Sequence, residues 1–117
     1  MTAKLPKIIT AEWALNQRAC SYIAEDFAKK WPDGLEVTRR NIHLVRLYFA
    51  RKQGYAVAGW NAIAWLKQFI PTRERQNAFH DGEVSAYLEK IHINTRRANQ
   101  DYSRTASNLM ADALGLP

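Results

Sequence analysis

The side chains of this chain that could perform chemistry are few and widely spaced. Its three histidines, His43, His80 and His92, show no His-x-x-x-His spacing, and its single cysteine, Cys20, cannot complete a zinc site alone. The sequence has no glycine-rich phosphate loop and no Ser/His/Asp arrangement that its spacing would reveal. We therefore expect no enzymatic activity, no bound metal and no cofactor.

Positive charge is concentrated in the middle of the chain. The 117 residues include 17 Lys and Arg against 11 Asp and Glu, for a formal net charge of +6. Residues 36–70 alone carry a net charge of +5, whereas residues 1–35 carry +1 and residues 71–117 carry zero. Local positive charge attracts phosphate backbones and acidic protein surfaces. A polyanionic partner would therefore bind the middle third.

The stretch VTRRNIHLVRLYFARKQGY, residues 37–55, is predicted to form a helix with a narrow basic edge. On a helical wheel its apolar side chains fill most of the circumference, and Arg39, His43 and Arg46 share the remaining edge. Such an edge can follow a phosphate backbone through salt-dependent contacts that do not read sequence. The alternative is a solvated edge whose cations pair with Glu36 or with acids of the C-terminal helix. The predicted site for a nucleic-acid backbone or an acidic protein surface comprises Arg39, Arg40, His43, Arg46, Arg51 and Lys52.

Two tryptophans, Trp60 and Trp65, suggest a second, apolar docking surface on the following segment. Tryptophan is a frequent anchor of protein interfaces, although at helical spacing the alternative is a place in the core. If this segment were the second helix of a helix-turn-helix, only Asn61 would offer a side chain suited to base edges. Binding to nucleic acid is therefore expected to be independent of base sequence.

Capping and turn residues predict helices in the N-terminal half. Thr10 can cap a helix over 11–31, in which apolar residues recur every four positions. The Pro-Asp-Gly sequence at 32–34 is turn chemistry and should end that helix. Thr38 can cap a second helix, expected over 38–54 with its glycine as the stop.

The C-terminal half is predicted to be helical as well. A nearly all-apolar helix over 56–69 should end before Pro71, and a short helix over 72–80 should close at Asp81-Gly82. Beyond it lies either one helix or two, since Asn94 could cap a restart. Alternating spacings of four and three predict a core-facing seam there, formed by Val84, Leu88, Ile91, Thr95, Ala98, Tyr102, Thr105 and Leu109.

These patterns predict an all-α protein, a compact single-domain helical bundle of four to six helices over residues 1–117. No apolar run approaches the ~20 residues that cross a bilayer, and the N-terminus lacks the apolar core of a secretory signal. A single cysteine fits a reducing compartment. We expect a cytoplasmic protein with no membrane partner.

Parts of the sequence resemble the DsrC/TusE sulfur-relay family. The segments GLEVTRRNIHLVRLYF (34–49) and GYAVAGWNAIAWLKQ (54–68) are similar to its middle, where an apolar helix carrying an arginine precedes a second apolar helix. Trp13 with IAE (23–25) resembles its preceding helix, and GEVSAYL (82–88) and the final GLP are similar to pieces of its C-terminal half.

The resemblance implies a binding or regulatory relative. Members that carry persulfide use a cysteine on a flexible C-terminal arm just beyond a Gly-Leu-Pro-like segment. Here the only cysteine, Cys20, lies in the first predicted helix and the printed sequence ends at Pro117, so no functional residue of the family can be carried over.

The sequence thus predicts a small, basic, non-enzymatic helical protein that contacts a nucleic-acid backbone as a subunit or regulator of a larger nucleoprotein complex. One alternative is a protein-binding module or inhibitor, for example phage-encoded, that docks on an acidic protein surface. The other is a DsrC/TusE-like regulatory protein without the cysteine arm.

Overall fold

The computed structural model describes residues 5–19, 21–52, 64–93 and 95–117. These residues form five α-helices, one short 3-10 helix and a two-stranded ribbon, so the predicted all-α class is confirmed. The radius of gyration of 14.0 Å is that of a compact chain of this length. That it forms one domain over 1–117 stays a prediction. The elements are β1 (Ile8–Ile9), α1 (Ala11–Asn16), α2 (Ser21–Lys30), β2 (Leu35–Glu36), α3 (Arg39–Lys52), the 3-10 helix (Trp65–Phe69), α4 (Arg73–Ile93) and α5 (Arg96–Ala113).

The first two helices replace the single helix expected over 11–31. Thr10 caps α1 as predicted, since its Oγ1 accepts the Trp13 N–H at 3.2 Å. The continuous helix is wrong because Arg18 has φ = 67°, a left-handed conformation that an α-helix cannot contain. The predicted turn after α2 is confirmed by the hydrogen bond from the Gly34 N–H to the Trp31 carbonyl, 3.0 Å.

A short antiparallel ribbon ties the N-terminus to the start of α3. Ile8 pairs with Glu36, and Ile9 pairs with Leu35. Gly34 precedes β2 with φ = 90°, and a Cβ there would lie 2.8 Å from Ile8 Cγ2, so the ribbon requires glycine. Directly after β2, Thr38 caps α3 as predicted.

Helix α4 runs without interruption through the position where the sequence predicted a stop. The expected short helix over 72–80 is wrong because Gly82 does not end a helix; it lies where α4 packs against Leu109 of α5. A Cβ at Gly82 would be 3.0 Å from both terminal methyl carbons of Leu109. The restart is real, but its cap is Thr95, one residue after Asn94, and Thr95 Oγ1 accepts the Ala98 N–H at 3.0 Å.

Among the described residues, the buried side chains form two core clusters. The larger cluster joins α3, α4, α5 and the 3-10 helix; its buried members are Ile42, Leu66, Phe69, Ile70, Phe79, Met110, Ala111 and Ala113. The smaller one is built on Phe27 and Phe49, with Trp31 and Tyr48 packed against them. Of the third helix expected over 56–69, only the last residues fall in the described ranges, as the 3-10 helix, which ends before Pro71 as predicted.

Candidate binding surfaces

Helix α5 covers the edge of α3 on which the sequence placed the basic site. The two helices pack against each other, and three successive turns of α3 present Arg39, His43 and Arg46 to α5. All three side chains make internal contacts. The edge predicted to meet a partner is therefore largely occupied by the protein's own C-terminal helix.

Arg39 binds the C-terminal end of α5. Its Nη2 forms an ion pair with Asp112 and donates to the Leu116 carbonyl at 3.1 Å. Its Nη1 donates to the Asn108 carbonyl and its Nε to the Pro117 carbonyl, both at 3.2 Å. Leu116 and Pro117 follow the end of α5, so the guanidinium ties the segment after this helix to α3. The alternative that the edge pairs with acids of the C-terminal helix is confirmed for Arg39.

His43 forms a partly buried contact with a serine of α5. Its Nδ1 lies 3.1 Å from Ser107 Oγ, and that hydroxyl donates to the Ser103 carbonyl at 3.0 Å. Because the serine proton is committed to the carbonyl, His43 Nδ1–H is the donor to Ser107. Burial lowers the pKa of His43, and the positive charges of Arg104 and Arg46 lower it further.

The His43–Ser107 pair has the composition of a catalytic base and nucleophile but not the arrangement. Ser107 is only 1% exposed, so its Oγ is out of reach of a substrate. An activated serine must give its proton to the imidazole, whereas here the proton points to the Ser103 carbonyl. The pair joins α3 to α5.

Arg46 is buried, and the expectation that it lies on an exposed edge is wrong. Its side chain is 3% exposed, and Cζ lies 5.4 Å from the centroid of the Tyr102 ring. Burial lowers the pKa of Arg46, while Tyr102 and Glu83 act in the opposite direction. Among the described residues, Nη1 of Arg46 meets no hydrogen-bond acceptor. The sequence could not show this burial because Tyr102 and Glu83 come from α5 and α4.

The remaining predicted residues have separate positions. Arg40 is exposed on α3, whereas the side chains of Arg51 and Lys52 lie outside the described part of the chain, as does Trp60. Trp65 is half-buried, and its indole Nε1 donates to the Gln17 carbonyl at 2.9 Å. Its ring also packs edge-on against Trp13, so Trp65 fixes the 3-10 helix to the end of α1.

An exposed apolar stripe runs along the outward face of α4, and sequence reasoning missed it. Its members are Val84, Tyr87, Leu88 and Ile91, which are between 43% and 60% exposed. Their positions i, i+3, i+4 and i+7 place them on one helix face. The predicted seam is therefore wrong for Val84, Leu88 and Ile91. Phe79 and Gly82 lie on the opposite face and pack toward the core instead. In the sequence, the signal for an exposed apolar stripe was the presence of apolar residues on both faces of this helix.

The α4 stripe has acidic surroundings in an otherwise basic protein. Residues 81–93 contain three carboxylates and one lysine, for a net charge of −2, against +6 for the whole chain. That lysine is Lys90, and its Nζ lies 5.3 Å from the centroids of both the Tyr87 and Tyr102 rings. A partner meeting this face would therefore encounter apolar side chains with the exposed carboxylate of Asp81 beside them.

Comparison of the chain with models of known protein families, with curated proteins and with solved structures gives no match. The resemblance to the DsrC/TusE family stays a prediction. Within the described ranges, no group of His, Cys, Asp and Glu side chains is placed to hold a metal ion. The helices of those ranges include none with the length and apolar character needed to span a membrane.

Proposed function

We propose that this protein is a non-enzymatic, cytoplasmic binding protein whose partner is another protein, docked on the outward face of α4. The observation that carries the proposal is the α4 stripe. An amphipathic helix that enters a partner's groove presents anchors at i, i+3, i+4 and i+7, the spacing of Val84, Tyr87, Leu88 and Ile91. This is the protein-binding module considered from the sequence, acting through a different surface.

The stripe is large enough to anchor a complex and too small to form one alone. Full burial of a Leu or Ile side chain contributes about 1.5–3 kcal/mol, so covering four half-exposed side chains contributes on the order of 3–6 kcal/mol. Association costs at least about 4 kcal/mol in lost freedom of motion. Contacts around the stripe must therefore supply the remaining affinity.

The partner that fits is a protein with an apolar groove and a basic rim. Asp81 lies exposed beside the stripe, and its carboxylate favours a cation at the edge of the groove. A second copy of this chain fits less well. A second helix would contact the stripe along one side, whereas a groove contacts an inserted helix on several sides.

Capture from a nuclease-treated lysate, compared between variants, tests the proposal. The wild-type protein should retain a defined protein, Leu88→Glu should lose it, and the matched exposed variant Arg104→Glu should keep it. If Arg104→Glu lost the captured protein and Leu88→Glu retained it, the proposal that the partner binds the α4 stripe would be contradicted. Sedimentation velocity runs in parallel: a wild-type dimer that Leu88→Glu converts to a monomer would make the occupant a second copy.

A phosphate backbone is the second candidate partner, as predicted first from the sequence. Arg40 and Arg104 are exposed, and Arg104 is close enough to His43 to lower the pKa of the imidazole. A nucleic-acid contact here requires affinity that falls steeply between about 50 and 200 mM salt. Arg40→Glu with Arg104→Glu should remove that affinity, whereas Leu88→Glu should leave it unchanged. Arg39 and Arg46 are unsuitable for this test because they hold α5 in place.

A regulatory protein of the DsrC/TusE type without its cysteine arm would be one form of the main proposal, since it too would act by binding a protein.

A further inference from the structure

A cavity of about 190 Å³ lies between the two core clusters that the described residues form. Ile42 and Leu66 of the larger cluster line it from one side, and Phe27 and Phe49 of the smaller cluster line it from the other. Ile9 of β1 packs against both clusters and borders the cavity as well. Among the described residues, the cavity therefore borders both clusters.

The described residues that line the cavity are mostly apolar. Three polar side chains also border it: Arg18, Glu36 and Asn41. Arg18 and Glu36 are exposed, so they stand where the cavity meets solvent. Asn41 already donates through Nδ2 to the Glu36 carbonyl at 2.9 Å. The other described residues of the lining are apolar or aromatic, for example Ala24, Phe27, Ile42 and Phe49, so water beside them would find few polar partners.

We propose that this cavity is a binding site for a small neutral aromatic molecule of one or two rings. An engineered apolar cavity of about 150 Å³ stays dry and binds benzene, and this cavity is somewhat larger. A ligand restores the dispersion contacts that its apolar walls lack. Arg18 and Glu36 carry opposite charges at the mouth, so they favour a neutral ligand with one polar atom directed outward. This site is separate from the α4 stripe, and neither proposal depends on the other.

A filling substitution distinguishes a real cavity from tight packing. Ala24 is buried at 2% exposure and lines the cavity, whereas Ala106 is buried at 0% exposure in α5 and does not line it. Added methylenes destabilise a tightly packed site because neighbouring side chains must move. Ala24→Leu should therefore keep or raise the urea midpoint, and the matched control Ala106→Leu should lower it.

The ligand test uses indole and benzene as probes on the full chain. The urea midpoint of the wild type should rise with indole concentration, and calorimetry should give one molecule bound per chain. Ala24→Leu should abolish both effects. If neither probe raises the urea midpoint of the wild type, the proposal that the protein binds an aromatic ligand is wrong. If a stable Ala24→Leu variant still binds the probe, the ligand does not bind in this cavity. Destabilisation by Ala24→Leu as large as that by Ala106→Leu would overturn the cavity itself.

Discussion

The guanidinium of Arg46 on α3 lies against the ring of Tyr102 on α5, with Cζ 5.4 Å from the ring centroid. A cation in the middle of the predicted basic edge thus forms part of the helix packing. We expect Arg46→Ala to lower the free energy of unfolding by about 2–4 kcal/mol, because it removes a packed side chain as well as a charge. Arg46→Met should cost less than about 1.5 kcal/mol, since it keeps the stem and removes the unsatisfied Nη1. Urea denaturation measures both, and equal losses would contradict packing as the main role.

The hydrogen bonds from Arg39 to the end of α5 should matter more than its ion pair. Asp112 is largely exposed, so Asp112→Asn should change stability by less than about 1 kcal/mol. Arg39→Ala should cost about 1–2 kcal/mol, because three carbonyls lose a charged donor. The Arg39→Ala loss should persist in high salt, which screens exposed ion pairs. A loss that salt abolishes would assign the role to the ion pair instead.

Stability should decrease as the pH falls through the ordinary histidine pKa of 6.5, because the pKa of His43 in the folded protein is lower. Above that pH both states hold a neutral imidazole; below it the unfolded chain takes up the proton first, which favours unfolding. One proton accounts for at most about 1.4 kcal/mol per pH unit. His43→Gln should remove this component between pH 8 and 5.5. The exposed His80→Gln is the control, and identical pH profiles for wild type and His43→Gln would refute the assignment.

Substitutions at Gly82 and Leu109 should have non-additive effects on the free energy of unfolding. Alanine in a helix interior is favoured over glycine by about 1 kcal/mol, but a Cβ at this position presses on both Leu109 methyl groups. Gly82→Ala alone should therefore be close to neutral in a denaturation experiment. In a Leu109→Ala background the same substitution should stabilise by about 1 kcal/mol. Additive effects across the double-mutant cycle would show that the close approach at Gly82 does not constrain the packing of α4 on α5.

Residues close together in the sequence were sufficient to predict the all-α class and several helix boundaries. The Thr10 and Thr38 caps and the turn at 32–34 depend on residues within a few positions of one another, and all three were found. The break at Arg18 was missed because it depends on how α1 and α2 pack. The sequence predicts a stop at Gly82 because glycine commonly ends helices, whereas its contact with Leu109 of α5 is visible only in the tertiary structure.

The candidate site was harder to predict because its determinants are distant in sequence. A helical wheel separates the apolar arc of α3 from its basic edge, but it cannot show what covers that edge. Ser107 and Asp112 lie more than sixty residues away, and no spacing rule relates them to His43 and Arg39. Likewise the periodicity of Val84, Leu88 and Ile91 correctly indicates one helix face, yet only the tertiary packing decides that this face points outward.

The dissociation constant of the purified partner protein, measured for wild type, Leu88→Ala and Arg104→Ala, tests the central claim most directly. Leu88 is the most exposed member of the α4 stripe, so removing it should barely change stability while removing an anchor. We expect Leu88→Ala to weaken binding by roughly tenfold or more, equivalent to about 1.4 kcal/mol, and Arg104→Ala to bind like wild type. Wild-type affinity in Leu88→Ala together with weakened binding in Arg104→Ala would contradict the claim and place the binding surface on the basic side of the protein.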